Sequence, residues 1–271
     1  MELGDGVGDE VVPSSDLDPF DQAGFRVRFD WGPMGLRRLA PGADVVVIVD
    51  VLSFTTCVDV ALGQGAVVLP YQWHNGTEQA YADREGATLA VPRGQVDEAH
   101  PWSLSPTRLA QIPAGTRLVL PSPNGAALSF GAAEAGARVV YAACLRNAGA
   151  VAAAICALPE GGGSVAVIAA GERWRGSTGP LRPAVEDLIG AGAIIAGLGD
   201  AAVSPEASVA ESAWFAHRHD LTNVLLRCGS GRELAGAGYG PDVLVAAEAG
   251  VSAVVPMLHG YAFIDAAHDR A

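Results

Sequence analysis

The run DVVVIVD, residues 44–50, sets five consecutive aliphatic residues in front of a carboxylate. A strand carries such a run only where both of its faces are covered, as in a parallel sheet with helices on either side. Residues 53–64, SFTTCVDVALGQ, follow with helical spacing and stop at Gly65. The same grammar returns along the chain. Strands are predicted at 66–71, 116–122, 137–144 and 164–171, and helices at 75–86, 123–136, 146–158 and 183–198. This alternation predicts an α/β fold, a three-layer α/β/α sandwich around a mostly parallel or mixed sheet.

Segments 44–86 and 116–158 share the order strand, helix, strand, helix, which suggests two similar βαβα halves and a sub-division near residue 160. Past residue 200 the chain reads as mostly helical, closing with a short strand at 253–258. Residues 90–115 form a connection too long to be idle, so a role at the site is expected. Residues 1–22 are acidic and lack the basic start and apolar core of a signal peptide, so a flexible tail is expected before one domain spanning 23–271.

Thirty Asp and Glu against 17 Lys and Arg give a net charge of −13. That balance argues against nucleic acid or an anionic membrane as partner, since both require basic surface. A small anionic substrate remains compatible, because a few local cations reverse the field at one site. Every one of the 17 basic residues is Arg, so any phosphate contact is a guanidinium fork. Cys57, Cys144, Cys156 and Cys228 form no CxxC pair, which suits a reduced, cytoplasmic protein with buried thiols.

In an open α/β sheet, ligands bind beyond the C-terminal ends of the strands. Those positions carry Asp50, Ser53, Thr55 and Thr56 after the first strand, and Ser122, Asn124 and Gly125 after the third. Arg146 and Asn147 follow the fourth; Gly171, Glu172 and Arg173 follow the fifth. An acid–hydroxyl loop, a Pro-Asn-Gly turn and two Arg-bearing loops facing one crevice make a metal-assisted phosphate site. Mg²⁺ takes one or two carboxylates plus water and phosphate oxygens, and helix N-termini supply amides for an anion.

Each residue also has a plainer reading. Asp50 can cap the next helix, and Glu186 and Asp187 can compensate a helix dipole, worth ~0.3–1 kcal/mol. The Pro-Asn-Gly turn can simply start a helix, and any one Arg can be a surface charge. A dehalogenase-type phosphatase needs a second Asp at position 52, where Leu52 stands. Neither a P-loop, a dinucleotide fingerprint nor a nucleophile elbow occurs.

The stretches VVVIVDVLSFTTCVDVALGQGA, LVLPSPNGAALS, CLRNAGAVA, VAVIAAGERW, VEDLIGAGAII and SGRELAGAGYGPDVLVAAE occur in the order of a known family. Through them the chain resembles the 2-phosphosulfolactate phosphatases over residues 27–258. The resemblance implies an α/β fold peculiar to that family, Mg²⁺ dependence, and hydrolysis of a phosphate monoester on a small acidic three-carbon substrate. It implies roles for Asp50, Asn124, Gly125, Asn147, Gly171 and the Glu186–Asp187 pair.

Two positions depart from the family pattern. Ser53 stands where members commonly carry Arg, and Pro92 where many carry an acid, although Arg93 keeps the neighbouring base. Arg146 or Arg173 is then a candidate to replace the missing guanidinium. The full expectation is Mg²⁺ held by Asp50 with Glu186 or Asp187, and Asp50, Asn124, Asn147 and Arg146 as catalytic groups. Ser53, Thr55, Thr56, Ser122, Gly125, Gly171, Arg173 and Arg93 would meet a small anionic phosphorylated substrate. The alternative is a weakened homologue that binds a phospho- or sulfo-acid without turnover. A homodimer is the default assembly.

Overall fold

The computed structural model describes residues 18–72, 76–174, 179–199 and 202–267. Strand β1 (Val27–Trp31) leads directly into α1 (Gly32–Leu39). The apolar run forms β2 (Val45–Val49), followed by α2 (Phe54–Gly63). Next come β3 (Val67–Gln72), α3 (Glu78–Glu85) and the short β4 (Thr88–Leu89), then a long connection holding one turn, α4 (Pro106–Leu109). Two further units are β5 (Arg117–Ser122) with α5 (Gly125–Glu134) and β6 (Val139–Ala143) with α6 (Ala148–Cys156). After β7 (Val165–Ala169), a small ribbon of β8 (Glu172–Arg173) and β9 (Leu181–Arg182) precedes α7 (Val185–Gly197). Helices α8 (Pro205–His217), α9 (Leu221–Arg227), α10 (Gly229–Gly236) and α11 (Gly240–Ala246) follow. A hairpin, β10 (Pro256–His259) and β11 (Ala262–Asp265), closes the chain.

Among the described residues one nine-stranded sheet runs β1-β7-β2-β6-β10-β11-β3-β5-β4. The first four strands are parallel, with Val47 level with Tyr141 on one side and Val167 on the other. Strands β3, β5 and β4 form a second parallel group. The hairpin sits between the groups and is antiparallel to each, joined by the single pairs Met257–Tyr141 and Phe263–Val68. Three antiparallel pairings in succession reverse the strand sense from one group to the other. The sheet is therefore mixed.

The five aliphatic residues of β2 are shared between two cores because successive side chains point to opposite faces. Val45, Val47 and Val49 pack with Val151 and Ile155 of α6 and Ile189 and Ile194 of α7. Val46 and Ile48 pack with Leu36 and Leu39 of α1 and Leu128 of α5. All five are at most 1% exposed, and each such burial is worth roughly 1.5–3 kcal/mol. The second group repeats the scheme. Val68, Leu118 and Leu120 face α2, while Leu69 and Val119 face Ala82 of α3. Helices thus cover both faces, and the fold is the three-layer α/β/α sandwich.

Three expectations need adjustment. The segments 44–86 and 116–158 do not build separate halves: β2 pairs with β6 and β3 pairs with β5, so the segments interleave. Residues 1–17 lie outside the described residues, but 18–22 belong to the packed body. Asp18 caps a short 3₁₀ turn, and the buried Gln22 amide bonds the backbone of Phe29 in both directions. Strands β1 and β11 and helix α1 have no counterpart in the sequence reading. β1 contains Arg28 and Asp30, as an edge strand allows, and Gly32-Pro33 resembles a turn although Pro suits a first helical turn. No described helix is long and apolar enough to cross a membrane.

Candidate active site

Asp50, 5% exposed, ends β2. Its Oδ1 accepts from the Phe54 amide at 3.2 Å, much as a helix cap would, while Oδ2 accepts from the Gly125 amide at 2.8 Å. Position 125 must be glycine. A Cβ there would stand 2.3 Å from Phe54 Cδ1 and 2.8 Å from Asp50 Oδ2. The Thr55 hydroxyl closes the same turn, donating to the Asp50 carbonyl at 2.8 Å and accepting from its amide, and the Thr56 hydroxyl donates to the Val51 carbonyl at 2.7 Å.

Behind this turn lies the first turn of α7. Asp187 accepts from the Val51 amide at 2.7 Å on one oxygen and from the Gly171 amide at 2.9 Å on the other. It therefore ties the end of β2 to the end of β7. Gly171 has φ +65, and a Cβ would meet Leu181 and the Arg182 carbonyl within 3.0 Å. Glu186, 2% exposed, leaves Oε2 buried without a hydrogen-bond partner. It lies beside the Cys228 thiol, which burial and this carboxylate push up to about 12.

A cavity of about 620 Å³ opens above Asp50, walled by Ser53, Ser122, Asn124 and Glu172 and rimmed by Arg93, Arg173 and Arg182. Asn124 Nδ2 donates to both oxygens of Glu172, at 2.9 and 3.3 Å. Burial is the main reason the Glu172 carboxyl is raised above its ordinary range. Burial, with Glu172 and then Glu186 adding like charge, pushes Asp50 up to about 7. Arg93 donates to Ser53 Oγ at 2.9 Å and to Asp242 at 3.4 Å, with its guanidinium 5.0 Å from the Tyr239 ring centre. Arg182 donates to Ser230 Oγ at 3.0 Å, and Arg173 to the Gly179 carbonyl at 3.2 Å. The wall carries three carboxylates, Asp50, Glu172 and the exposed Glu233, together with the guanidiniums of Arg93, Arg173 and Arg182. A smaller cavity of about 280 Å³ near Asp44, at the other end of β2, carries no comparable set.

The family model described as 2-phosphosulpholactate phosphatase matches residues 37–260 of the 271. The chain belongs to that family. No curated protein matches it at a significant level. The match spans every residue named on the cavity wall. The family's reaction is that of a phosphatase, the hydrolysis of a phosphoric monoester.

Within this phosphatase scaffold, Asp50, Ser53, Arg93, Ser122, Asn124 and Arg173 line the cavity. Gly125 lies beneath it, and Gly171 and Asp187 brace it from behind. Five expected residues are elsewhere, among them Glu186, which is enclosed beside Cys228 and does not line the cavity. Thr55 and Thr56 are fully buried, with hydroxyls spent on backbone carbonyls. Arg146 is committed to Asp59 at 2.9 Å, to Glu248 and to the Val245 carbonyl. Asn147 is fully buried and closes a turn by accepting from the Cys144 amide at 2.8 Å.

The expected amide cradle is also otherwise engaged. The amides of Val51, Phe54, Gly125 and Gly171 all donate to Asp50 or Asp187, while three arginines stand on the cavity wall. The guanidinium that approaches Ser53 is Arg93, not Arg146 or Arg173. The sequence places Glu172 at a strand end without giving it a role, and Arg182 reads only as a surface charge; Ser230, Glu233 and Tyr239 of the cavity wall carry no signal in the chain.

Proposed function

We propose that this cavity hydrolyses the phosphate monoester of a small hydroxy-acid of the 2-phosphosulfolactate type, with Mg²⁺ held by Asp50 and Glu172. The observation that carries the reading is a buried carboxylate, Asp50, with a half-buried one, Glu172, that repels it, and three arginines around one 620 Å³ cavity. Among the described residues no cluster of three or more metal-ligating side chains occurs. Two carboxylates with water and phosphate oxygens completing the shell nevertheless fit the habits of Mg²⁺. Asp187, like Asp50, has each oxygen on an amide, but it lies behind the cavity wall and not on it, so its part is to brace the Asp50 turn.

In this reading Arg93, Arg173 and Arg182 hold the phosphoryl and acid oxygens of the substrate. Asn124 fixes the orientation of Glu172, and the Phe54 and Gly125 amides fix Asp50. Water supplies the oxygen of the new P–O bond, the ester P–O bond breaks, and the hydroxy-acid departs with a proton. Mg²⁺, when bound, supplies charge neutralisation at the phosphoryl oxygens. Positioning and charge balance are most of what this reaction requires. Arg93 beside Ser53 supports turnover over mere binding, because the corner where the family's Arg is missing still holds a guanidinium.

The test is phosphate release from a panel of phosphorylated hydroxy-acids, with Mg²⁺ and with EDTA. Release that needs Mg²⁺ and falls at least ~100-fold in Asp50→Ala, beyond the effect typical of an outer-shell residue, is the expected result. Full activity in EDTA, or an intact rate in Asp50→Ala, refutes the reading.

A further inference from the structure

The connection from Ala90 to Gly115 builds a second chamber. A cavity of about 550 Å³ lies on the far side of Arg93 and Tyr239, which also wall the catalytic cavity. The catalytic cavity alone is already the size that holds a complete drug-sized ligand. A three-carbon phospho-acid leaves much of that space unfilled, and the annex lies beyond it.

The polar groups of the annex are unbalanced in one direction. Ser103, 1% exposed, leaves its hydroxyl buried without a hydrogen-bond partner, and the buried Nε of Arg93 has none either. Arg108 makes no ion pair among the described residues, and its hydrogen bond to the Pro101 carbonyl is long, 3.5 Å. The annex carboxylate, Asp242, is already saturated by Arg93, the Ser105 hydroxyl and the Thr107 amide. Arg108 thus stands on the chamber wall with the unpaired Ser103 hydroxyl and Arg93 Nε enclosed just behind that wall, and the chamber's acid is taken. Buried polar groups of this kind are expensive to leave unpaired, so an acceptor-rich ligand would complete them. Trp102, Pro101 and Pro241 add apolar wall suited to a short methylene chain.

We infer that the annex receives the distal carboxylate of a phospho-acid longer than three carbons, with Arg108, Ser103 and the Arg93 Nε as its donors. The phosphate stays over Asp50 while the chain passes Arg93 and Tyr239. This rests on the phosphatase reading of the first cavity and extends its substrate class to phosphorylated hydroxy-diacids.

The experiment compares two esters, the phosphate of lactate and the phosphate of 2-hydroxyglutarate, which carries a second carboxylate two methylenes farther out. Wild-type protein should favour the longer ester about tenfold or more in kcat/KM, the scale of one charge-assisted hydrogen bond. The ratio of long over short should fall at least tenfold in Arg108→Ala and fall similarly in Ser103→Ala. Equal use of both esters by wild type, or a ratio that survives in Arg108→Ala, overturns the inference. Calorimetry with the non-hydrolysable methylene-phosphonate analogues of both acids decides the annex even in a protein that releases no phosphate. Tighter binding of the longer analogue that is lost in Arg108→Ala supports it, and equal binding of the two rejects it.

Discussion

Asp50 Oδ2 and the Gly125 amide, 75 residues apart in sequence, meet at 2.8 Å. This contact joins the two strand groups at the point where the chemistry is placed, and it leaves no space for a side chain at position 125.

Gly125→Ala therefore drives a methyl group into Phe54 and Asp50 at once. Overpacking of this kind costs about 1–3 kcal/mol, and the displaced carboxylate should cut phosphate release at least ~100-fold. Thermal melting and steady-state kinetics on the same preparation check both halves. Wild-type turnover in this variant contradicts the placement of Asp50.

Asp187→Ala removes the brace without touching the cavity wall. The Val51 and Gly171 amides lose their acceptors inside the protein, at ~1–3 kcal/mol each. A fall in Tm of roughly 5–15 °C is expected for a chain of this size, and saturating Mg²⁺ should not restore it. Rescue by the cation would instead make Asp187 a ligand.

The pH dependence has a defined sign. Asp50 is pushed from 3.8 up to about 7, and Asp187, Glu172 and Asp59 are raised as well, in each case mainly by burial. Folding therefore favours their protonated forms. The stability they contribute is complete below the ordinary carboxylate range and is lost as pH rises, for Asp50 through about 7. For Asp50 that interval corresponds to on the order of 4 kcal/mol at most. Urea midpoints should decline from about pH 4 to about pH 7, the interval set by Asp50, and millimolar Mg²⁺ should recover much of the loss at the alkaline end. A flat profile, or one indifferent to Mg²⁺, counts against the paired-carboxylate site.

Arg146→Ala separates scaffold from chemistry. Asp59 is 1% exposed and loses its cation, a change that costs about 3–5 kcal/mol. The folded variant at low temperature should keep kcat/KM within roughly threefold of wild type, since Arg146 touches nothing on the cavity. A hundredfold drop in a protein that still melts cooperatively would return Arg146 to the catalytic set.

How far the sequence can be read depends on what each residue is buried against. β2 is legible because its five aliphatic residues serve two cores, and no solvated face interrupts them. β1 is not, because the buried Arg28 donates to the Gly42 and Asp21 carbonyls, partners that only the fold supplies. Asp50, Asn124 and Arg173 were reached by a topological rule about strand ends, and they do share a cavity. Arg146 and Arg93 look alike in the chain, yet one neutralises a carboxylate inside α2 and the other faces the cavity. A signal for that difference existed. Asp59 sits in the otherwise apolar FTTCVDVALG, and a charge buried on such a helix requires a cation. The Asp187 brace was hidden more deeply, since a first-turn acid on a helix looks the same whether it meets solvent, a metal or two amides.

The β10–β11 hairpin, formed by residues 256–265, occupies the middle of the sheet although it is made last. Until the ribosome releases those residues, β6 and β3 each present a bare margin, and bare margins recruit other strands. The two parallel groups are therefore stitched together through the sheet only once residues 256–265 have been made. A stop codon that deletes only this hairpin should yield a sheet split in two, its halves held by shared helices and exposing sticky margins, rather than a slightly shortened enzyme.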